Sequence, residues 1–258
     1  MKKLVKKFTL IFCLLNFSAE VLASQKRVIA SLKPIASIAK MLLGDLAEID
    51  VIQKTSSCPH HYSIKPSQIQ MIKNADYLIF IDPKFELYLQ QFINQENTKL
   101  LILSSYPKPL DHNFHFWVDI DIMLKILSGL RDYFIDQGFD EKAINSNYVD
   151  AKDRIKSIKT PDLKGSIIAG DSLRYLSGQN TQFFSDIKSL KAINEIKNAS
   201  YTKKCIVFDP ANDLSSMEIS TKLVEIDIED WDIGDVELED YFVEYMSLIF
   251  EKASLCTN

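Results

Sequence analysis

Glycine is scarce in this chain, with seven among 258 residues. Loops that hold nucleotides or phosphates use closely spaced glycines, because only glycine lets the backbone approach such a ligand closely. No such loop is present, and there is no serine elbow of the kind found in hydrolases. The sequence therefore gives no support to a dinucleotide-binding protein or a serine hydrolase, and we identify no catalytic residue.

Basic residues are also in deficit. The chain has 30 Lys and Arg against 35 Asp and Glu, a formal net charge of −5. Its first 23 residues hold four lysines and Glu20, so the remainder carries −8. Recognition of nucleic acid depends on basic contacts to phosphate. An acidic chain is a poor candidate for that partner and a better one for a cation.

The N-terminal residues 1–23 are predicted to be a secretory signal peptide. A basic start (MKKLVKK) precedes a short apolar run at 8–17, and the stretch ends in Val21, Leu22 and Ala23. The apolar run is too short to span a bilayer comfortably; an amphipathic anchor is the alternative. Cys13 lacks the small residues expected before a lipidated cysteine. We expect an exported chain that begins at Ser24 and does not insert into the membrane.

Export places the cysteines in an oxidising compartment, where two of the three that remain are expected to pair. These three are Cys58, Cys205 and Cys256. A bridge between Cys205 and Cys256 would tie the end of a terminal helix to an apolar strand and would leave Cys58 as a thiol. The alternative is that all three stay reduced and buried as small hydrophobic residues.

Apolar runs alternate with helical patterns, which predicts an α/β fold of mostly parallel sheets flanked by helices. The first series has strands at 27–32, 49–51, 76–81 and 100–103 and helices at 34–43, 67–74 and 85–92. The second has strands at 166–169, 205–208 and 224–227 and helices at 186–198, 215–223 and 238–255. We expect an N-terminal lobe at 24–118, linker helices at 119–160 and a C-terminal lobe at 161–258.

All four histidines lie in two short segments, as His60 and His61 and as His112 and His115. Imidazole is a common ligand of divalent metals, and a metal site needs ligands from separate segments that converge. Both segments follow predicted strands, and ligands in such folds bind at the carboxyl edge of the sheet. We therefore predict a metal site at that edge; a chance pairing of surface histidines is the alternative.

An acidic run lies near the C-terminus, with nine acidic residues and no basic one between Glu225 and Asp240. Runs of this kind are mostly solvated surface. We interpret this one in the same way, apart from Asp227, which ends a predicted strand and can turn into a cleft.

Several segments resemble the zinc- and manganese-specific solute-binding proteins of bacterial ABC transporters. They are 58–67 (CPHHYSIKPS), 74–78 (NADYL), 30–35 (ASLKPI), 82–86 (DPKFE) and 113–117 (NFHFW). The resemblance is strong over about residues 27–130 and weaker beyond. It implies two α/β lobes joined by a long rigid linker helix, with one metal held in the cleft by three histidines and a carboxylate.

Carried over by position, the resemblance implies that His60 and His115 are metal ligands and that Asp227 is the carboxylate. His61 and His112 are then accessory or solvent-exposed. The resemblance also implies a disulfide in the second lobe that matches Cys205 and Cys256, and a second shell around the histidines for which Tyr62, Asp111 and Asp171 are candidates.

The third histidine of the family is absent, because its position is Gly170 in the segment 167–175 (IIAGDSLRY). Asp171, Cys58, His61 or water could complete the site. Two imidazoles and a carboxylate suit Zn²⁺, and one nitrogen fewer shifts preference toward harder ions such as Mn²⁺. Because binding needs neutral imidazole, affinity is expected to fall as pH drops through about 6.5.

The resemblance implies a function in metal uptake. We expect a monomeric periplasmic binding protein, not an enzyme, that captures Zn²⁺ or, as the alternative, Mn²⁺ and delivers it to an ABC-transporter permease. One rival is an exported metal-dependent hydrolase that activates water at an open coordination position. The other is a degenerate family member that serves as an adhesin or interaction protein, since one ligand is lost.

Overall fold

The computed structural model describes residues 25–256 except 56–57, 95–97, 179, 186, 213 and 215–216. The predicted signal peptide, with Cys13 and Ser24, lies outside the described residues. No helix in the described part of the chain is both long and apolar enough to cross a bilayer.

Two parallel sheets form the fold, as predicted, and each has four strands. The first has the spatial order β2-β1-β3-β4 and contains β1 (Lys26–Leu32), β2 (Ala47–Gln53), β3 (Tyr77–Phe80) and β4 (Lys99–Ile102). The second has the order β6-β5-β7-β8 and contains β5 (Ile167–Ala169), β6 (Gln182–Phe184), β7 (Cys205–Phe208) and β8 (Lys222–Glu225). Ligands of such sheets bind beyond the carboxyl ends of the strands, where the strand order reverses.

Six helices flank the sheets in the described part of the chain. They are α1 (Lys33–Leu43), α2 (Pro66–Lys73), α3 (Ile120–Asp136), α4 (Glu141–Lys156), α5 (Leu190–Ser200) and α6 (Leu238–Ser254). Sequence signals explain several starts: proline occupies an early position of α1 and α2, and the Ser189 side chain accepts the N–H of Ala192 at α5. Helix cover on both faces explains why the last five residues of β1 are buried.

The connector between the sheets is a helix pair, and the single long linker helix that the resemblance implies is not confirmed. Helix α3 ends where Gly138 adopts a φ of 84° and donates to the carbonyl of Ile135. The chain then turns, and the Asp140 carboxylate accepts the N–H of Ala143 at 2.7 Å to start α4. Two strong stop and start signals within a few residues therefore divide the connector.

Other elements in both series also differ from expectation. The helix predicted at 215–223 is wrong: 217–221 has no regular structure, and Lys222 and Leu223 belong to β8. Met217 and Ile219 pack on an apolar cluster from an irregular segment, so their pattern reflects burial and not a helical face. The helix predicted at 85–92 is a 3₁₀ segment at Leu87–Phe92, and strand β6 was not predicted.

One apolar core runs beneath both sheets and joins them. The rings of Trp117 and Trp231, which follow the first and second sheets, have centroids 5.7 Å apart. Tyr245 of α6 donates its hydroxyl to the Ile228 carbonyl at 2.6 Å. Helix α6 also contacts helix α1, which flanks the first sheet. The N–H of Phe242 in α6 donates to the Ser37 hydroxyl of α1 at 2.9 Å. This packing holds the carboxyl edges of the two sheets together.

The predicted disulfide between Cys205 and Cys256 is present, with Cα atoms 5.3 Å apart. It joins the first residue of β7 to the segment after α6. Cys58 is a free thiol.

Candidate metal centre

The predicted site residues share one cleft between the two sheets, with a volume of about 550 Å³. The first sheet's loops supply His60, in the turn after β2, and His115, in the segment after β4. The loops after β5, β7 and β8 supply carboxylates to the same cleft, namely Asp171, Asp209, Asp227 and Glu229. Imidazoles therefore come from one sheet and carboxylates from the other.

The structure brings His60 and His115 together, with ring centroids 5.9 Å apart. Both rings contact Phe85, a fully buried side chain whose centroid lies 4.4 Å from that of His60 and 5.1 Å from that of His115. Desolvation and then the charge of His115 lower the pKa of His60 below its ordinary value. A lowered pKa favours the neutral imidazole that binds a metal.

Asn113 orients the ring of His115. Its amide oxygen accepts the backbone N–H of His115 at 2.9 Å and faces Nδ1 of the ring at 3.1 Å. Its amide nitrogen donates to the backbone carbonyl of Asp171 at 2.7 Å, which fixes the direction of the amide. Nδ1 of His115 is therefore the protonated nitrogen, and Nε2 faces the cleft.

Glu229 lies opposite that nitrogen, with Oε1 3.3 Å from Nε2 of His115. The prediction of a solvated acidic run is wrong for Glu229, whose side chain is only 23% exposed. Asp227 holds the loop in shape, since its Oδ1 accepts the N–H of Glu229 at 2.8 Å. The signal that could have found Glu229 is its spacing of two from Asp227, because alternate residues of an extended segment face the same side.

Negative charge accumulates on this wall of the cleft. Burial raises the pKa of Asp227 above its ordinary value, and the charges of Glu229 and Asp230 raise it further. Burial, and then the charge of Glu229, also raise the pKa of the Cys58 thiol. A cation bound among these groups would relieve their repulsion.

The residues expected to orient the histidines make other contacts. Tyr62 donates its hydroxyl to the Ile52 carbonyl at 3.4 Å, and Asp111 pairs with Arg174 at 3.4 Å. Asp171 takes part through its backbone carbonyl, which receives the amide of Asn113. His61 and His112 are exposed, as expected, and the residues that the structure places around the cleft do not include them.

Asp209 fills the space where the third histidine would stand. A Cβ atom added to Gly170 would overlap Oδ2 of Asp209, and Gly170 has a φ of 127°, which other residues rarely adopt. Asp209 is 5% exposed and follows β7 directly. Its carboxylate accepts the Ser172 hydroxyl at 2.7 Å and the Asn212 amide at 2.6 Å.

Within the part of the chain that the structure describes, no three His, Cys, Asp or Glu side chains lie close enough together to hold a metal ion as they stand. The predicted ligands His60, His115 and Asp227 share the cleft, and their joint coordination of a metal stays a prediction.

Comparison with known proteins connects this arrangement with metal transport. A family model described as the periplasmic component A of the zinc-uptake complex, ZnuA, matches residues 28–161. An uncharacterised protein of Rickettsia prowazekii is 26% identical over 265 residues, covering 95% of this chain and 88% of that protein. The high-affinity zinc uptake system protein ZnuA of Haemophilus influenzae is 32% identical over 122 residues, 45% of this chain and 35% of that protein.

Solved structures share the fold. The Cd-bound periplasmic metal-binding protein of Candidatus Liberibacter asiaticus superposes with a TM-score of 0.71 at 18% identity, covering 89% of this chain and 98% of that one. FpvC of Pseudomonas aeruginosa, in complex with Mn²⁺, also superposes with a TM-score of 0.71 at 15% identity, covering 90% of this chain and 98% of that one. Zn(II)-bound AdcA of Streptococcus pneumoniae superposes with a TM-score of 0.68 at 15% identity, covering 91% of this chain and 58% of that one.

Proposed function

The chain belongs to the family of periplasmic zinc-uptake components, and on that premise we propose that it captures a divalent metal in its cleft and delivers it to an ABC-transporter permease. Zn²⁺ is the first candidate and Mn²⁺ the second. The family is one of transport components and not of enzymes, so the cleft holds the ion as cargo.

The contact between His115 and Glu229 carries this proposal. Asn113 presents an acceptor oxygen to Nδ1 of His115, while Glu229 presents another to Nε2 at 3.3 Å. Both ring nitrogens thus face acceptors, so the gap between Nε2 and Oε1 suits a positive charge. Two ligand atoms on one tetrahedral zinc ion, at bond lengths of about 2.0 Å, are also about 3.3 Å apart.

We assign four protein ligands to the cargo ion. His60 and His115 give imidazole nitrogens from the first sheet, and Asp227 and Glu229 give carboxylate oxygens from the second. Since the described side chains do not converge as they stand, binding requires side-chain movement in the cleft. His60 is exposed and is therefore the histidine free to adjust, whereas His115 is buried and held by Asn113.

Elemental analysis of protein purified from the periplasm without an affinity tag tests the proposal. Wild-type protein should contain close to one equivalent of zinc or manganese, and a His60→Ala/His115→Ala variant should contain little. The matched control is His61→Ala/His112→Ala, which removes two exposed histidines outside the cleft. Equal metal content in all three proteins, or none in the wild type, would reject it.

Delivery to a permease has a separate test. Cells that lack the protein should take up radioactive zinc more slowly at low external concentration, and the wild-type gene should restore the rate. Restoration by the His60→Ala/His115→Ala variant would argue against a role of the cleft in uptake.

A further inference from the structure

Three observations at Gly170 point to the residue that replaces the missing histidine. The backbone conformation of Gly170 disfavours any side chain, and Asp209 already occupies the space that a side chain would enter. Asp209 lines the same cleft as His60 and His115. A histidine side chain at position 170 and the carboxylate of Asp209 would therefore occupy the same space, so only one of them can be present.

The carboxylate of Asp209 is held in place by hydrogen bonds and can still bind a further partner. Each of its oxygens accepts one hydrogen bond, from Ser172 and from Asn212. An ionised carboxylate has about four lone-pair positions, so each oxygen keeps capacity for a further partner. Groups that hold a ligand carboxylate by hydrogen bonds are a normal part of metal sites.

We propose that Asp209 takes the place of the absent histidine as an oxygen ligand, in addition to the four ligands assigned above, so that the cleft holds Mn²⁺, which accepts more than four ligands, as well as Zn²⁺. The inference rests on the proposed function. Replacing an imidazole nitrogen by a carboxylate oxygen moves a ligand set toward the harder ion, because carboxylates suit manganese better than imidazoles do.

Asp171 is the competing carboxylate, since it adjoins Gly170 and lines the cleft. It is exposed, however, whereas Asp209 is buried. A buried carboxylate has already lost most of its water, so binding an ion costs it less further desolvation. Asp209 also lies where the absent side chain would point.

Metal titration of chelator-stripped full-length protein distinguishes Asp209 from Asp171 as the ligand. We expect Asp209→Asn to weaken Mn²⁺ binding at least about tenfold and Zn²⁺ binding less, with the ratio of the two affinities changed. Asp171→Asn tests the competing carboxylate and should weaken Mn²⁺ binding less than Asp209→Asn does. Glu48→Gln, at an exposed position outside the cleft, is the control and should bind both metals like the wild type. Loss of Mn²⁺ affinity in Asp171→Asn with none in Asp209→Asn would overturn the assignment, as would equal affinities in the wild type and both aspartate variants.

The wild-type titration separates this inference from the proposed function. If wild-type protein binds neither metal, the proposed function fails and the inference fails with it. If the wild type binds and His60→Ala/His115→Ala does not, while Asp209→Asn is unchanged, only the inference fails.

A second measurement does not depend on how the variant folds. In a crystal structure of Mn²⁺-loaded wild-type protein, a carboxylate oxygen of Asp209 should lie within about 2.5 Å of the ion. An ion bound by His60 and His115 with Asp209 held only by Ser172 and Asn212 would overturn the inference.

Discussion

The hydroxyl of Tyr175 donates to the backbone carbonyl of Asn113 at 2.8 Å and thereby ties the histidine-bearing loop to the second sheet. The same oxygen accepts the N–H of Leu110 at 2.9 Å. Tyr175 is buried, and its bond to Asn113 is shielded from water. Because Asn113 in turn orients His115, a residue of the second lobe helps to position a proposed metal ligand of the first.

Removing this hydroxyl should loosen His115. In Tyr175→Phe the buried carbonyl of Asn113 and the partly buried N–H of Leu110 lose their partner, and we expect the metal-free protein to lose about 1–3 kcal/mol of stability. Metal affinity should fall about tenfold, as is typical when a group that orients a ligand is lost. Denaturant unfolding and metal titration measure the two effects. Unchanged affinity alongside lower stability would show that Tyr175 does not position His115.

The imidazole of His60 should titrate below about pH 6.5 in the metal-free protein. Partial desolvation by its neighbours and then the charge of His115 lower its pKa. The stability of the folded state therefore falls only at pH values below the pKa of this histidine in the unfolded chain. At such pH values the unfolded chain binds a proton before folded His60 does. For the same reason, proton competition at His60 should require more acid than at an ordinary histidine.

NMR titration of the histidine ring signals checks this, with the His60 signal assigned by its absence in His60→Ala. In His115→Ala the pKa of His60 should move upward, because one of its two main perturbations is gone. A His60 signal that titrates at or above about 6.5 in the wild type would contradict the packing described for the cleft.

Glu86 should make stability depend on pH outside the cleft. It is fully buried, and burial raises its pKa from 4.5 to about 8, although the N–H groups of Ile81 and Asp82 donate to it. A raised pKa means that the folded state binds this proton more tightly. The stability that this proton gives to the folded state is fully present below pH 4.5 and is lost as pH rises toward about 8.

Thermal unfolding of Glu86→Gln at several pH values tests the effect. Relative to wild type, this variant should gain stability as pH rises from 5 to 9. Glu48→Gln, at an exposed position, is the control and should show no such trend. A flat difference between Glu86→Gln and wild type would mean that Glu86 is ionised in the folded protein.

The bridge between Cys205 and Cys256 should stabilise the second sheet strongly. It closes a loop of 51 residues, for which chain entropy predicts about 4 kcal/mol. In Cys205→Ala/Cys256→Ala, denaturant unfolding should show a loss of that order, while Cys58→Ala should change stability little. Equal stability of the double variant and the wild type would contradict a bridge that spans this loop.

Much of the framework was readable from the sequence. Buried strands and helix caps are local signals. His60 and His115 each follow a strand of the first sheet, so their meeting at one edge follows from parallel topology, and Asp227 follows a strand of the second sheet. The break near Gly138 was also visible, yet the family resemblance implied one long helix in its place.

The finer contacts of the site were not readable, because they depend on how two loops from different lobes face each other. Nothing local marks Asn113 as the partner of His115, and Glu229 belongs to an acidic run that is exposed over most of its length. Asp209 becomes notable only when β5 and β7 pair and bring it against Gly170. The helix wrongly predicted at 215–223 failed for a related reason, since tertiary burial there overrides a local pattern.

The central claim is that imidazoles of one lobe and carboxylates of the other hold a single divalent ion. Competition between metal-stripped protein and a chromogenic chelator for Zn²⁺ tests it most directly. The account predicts one tight site in the wild type, lost in His60→Ala/His115→Ala and weakened in Glu229→Gln. Binding of equal strength in all three proteins, or no competition by the wild type, would contradict it.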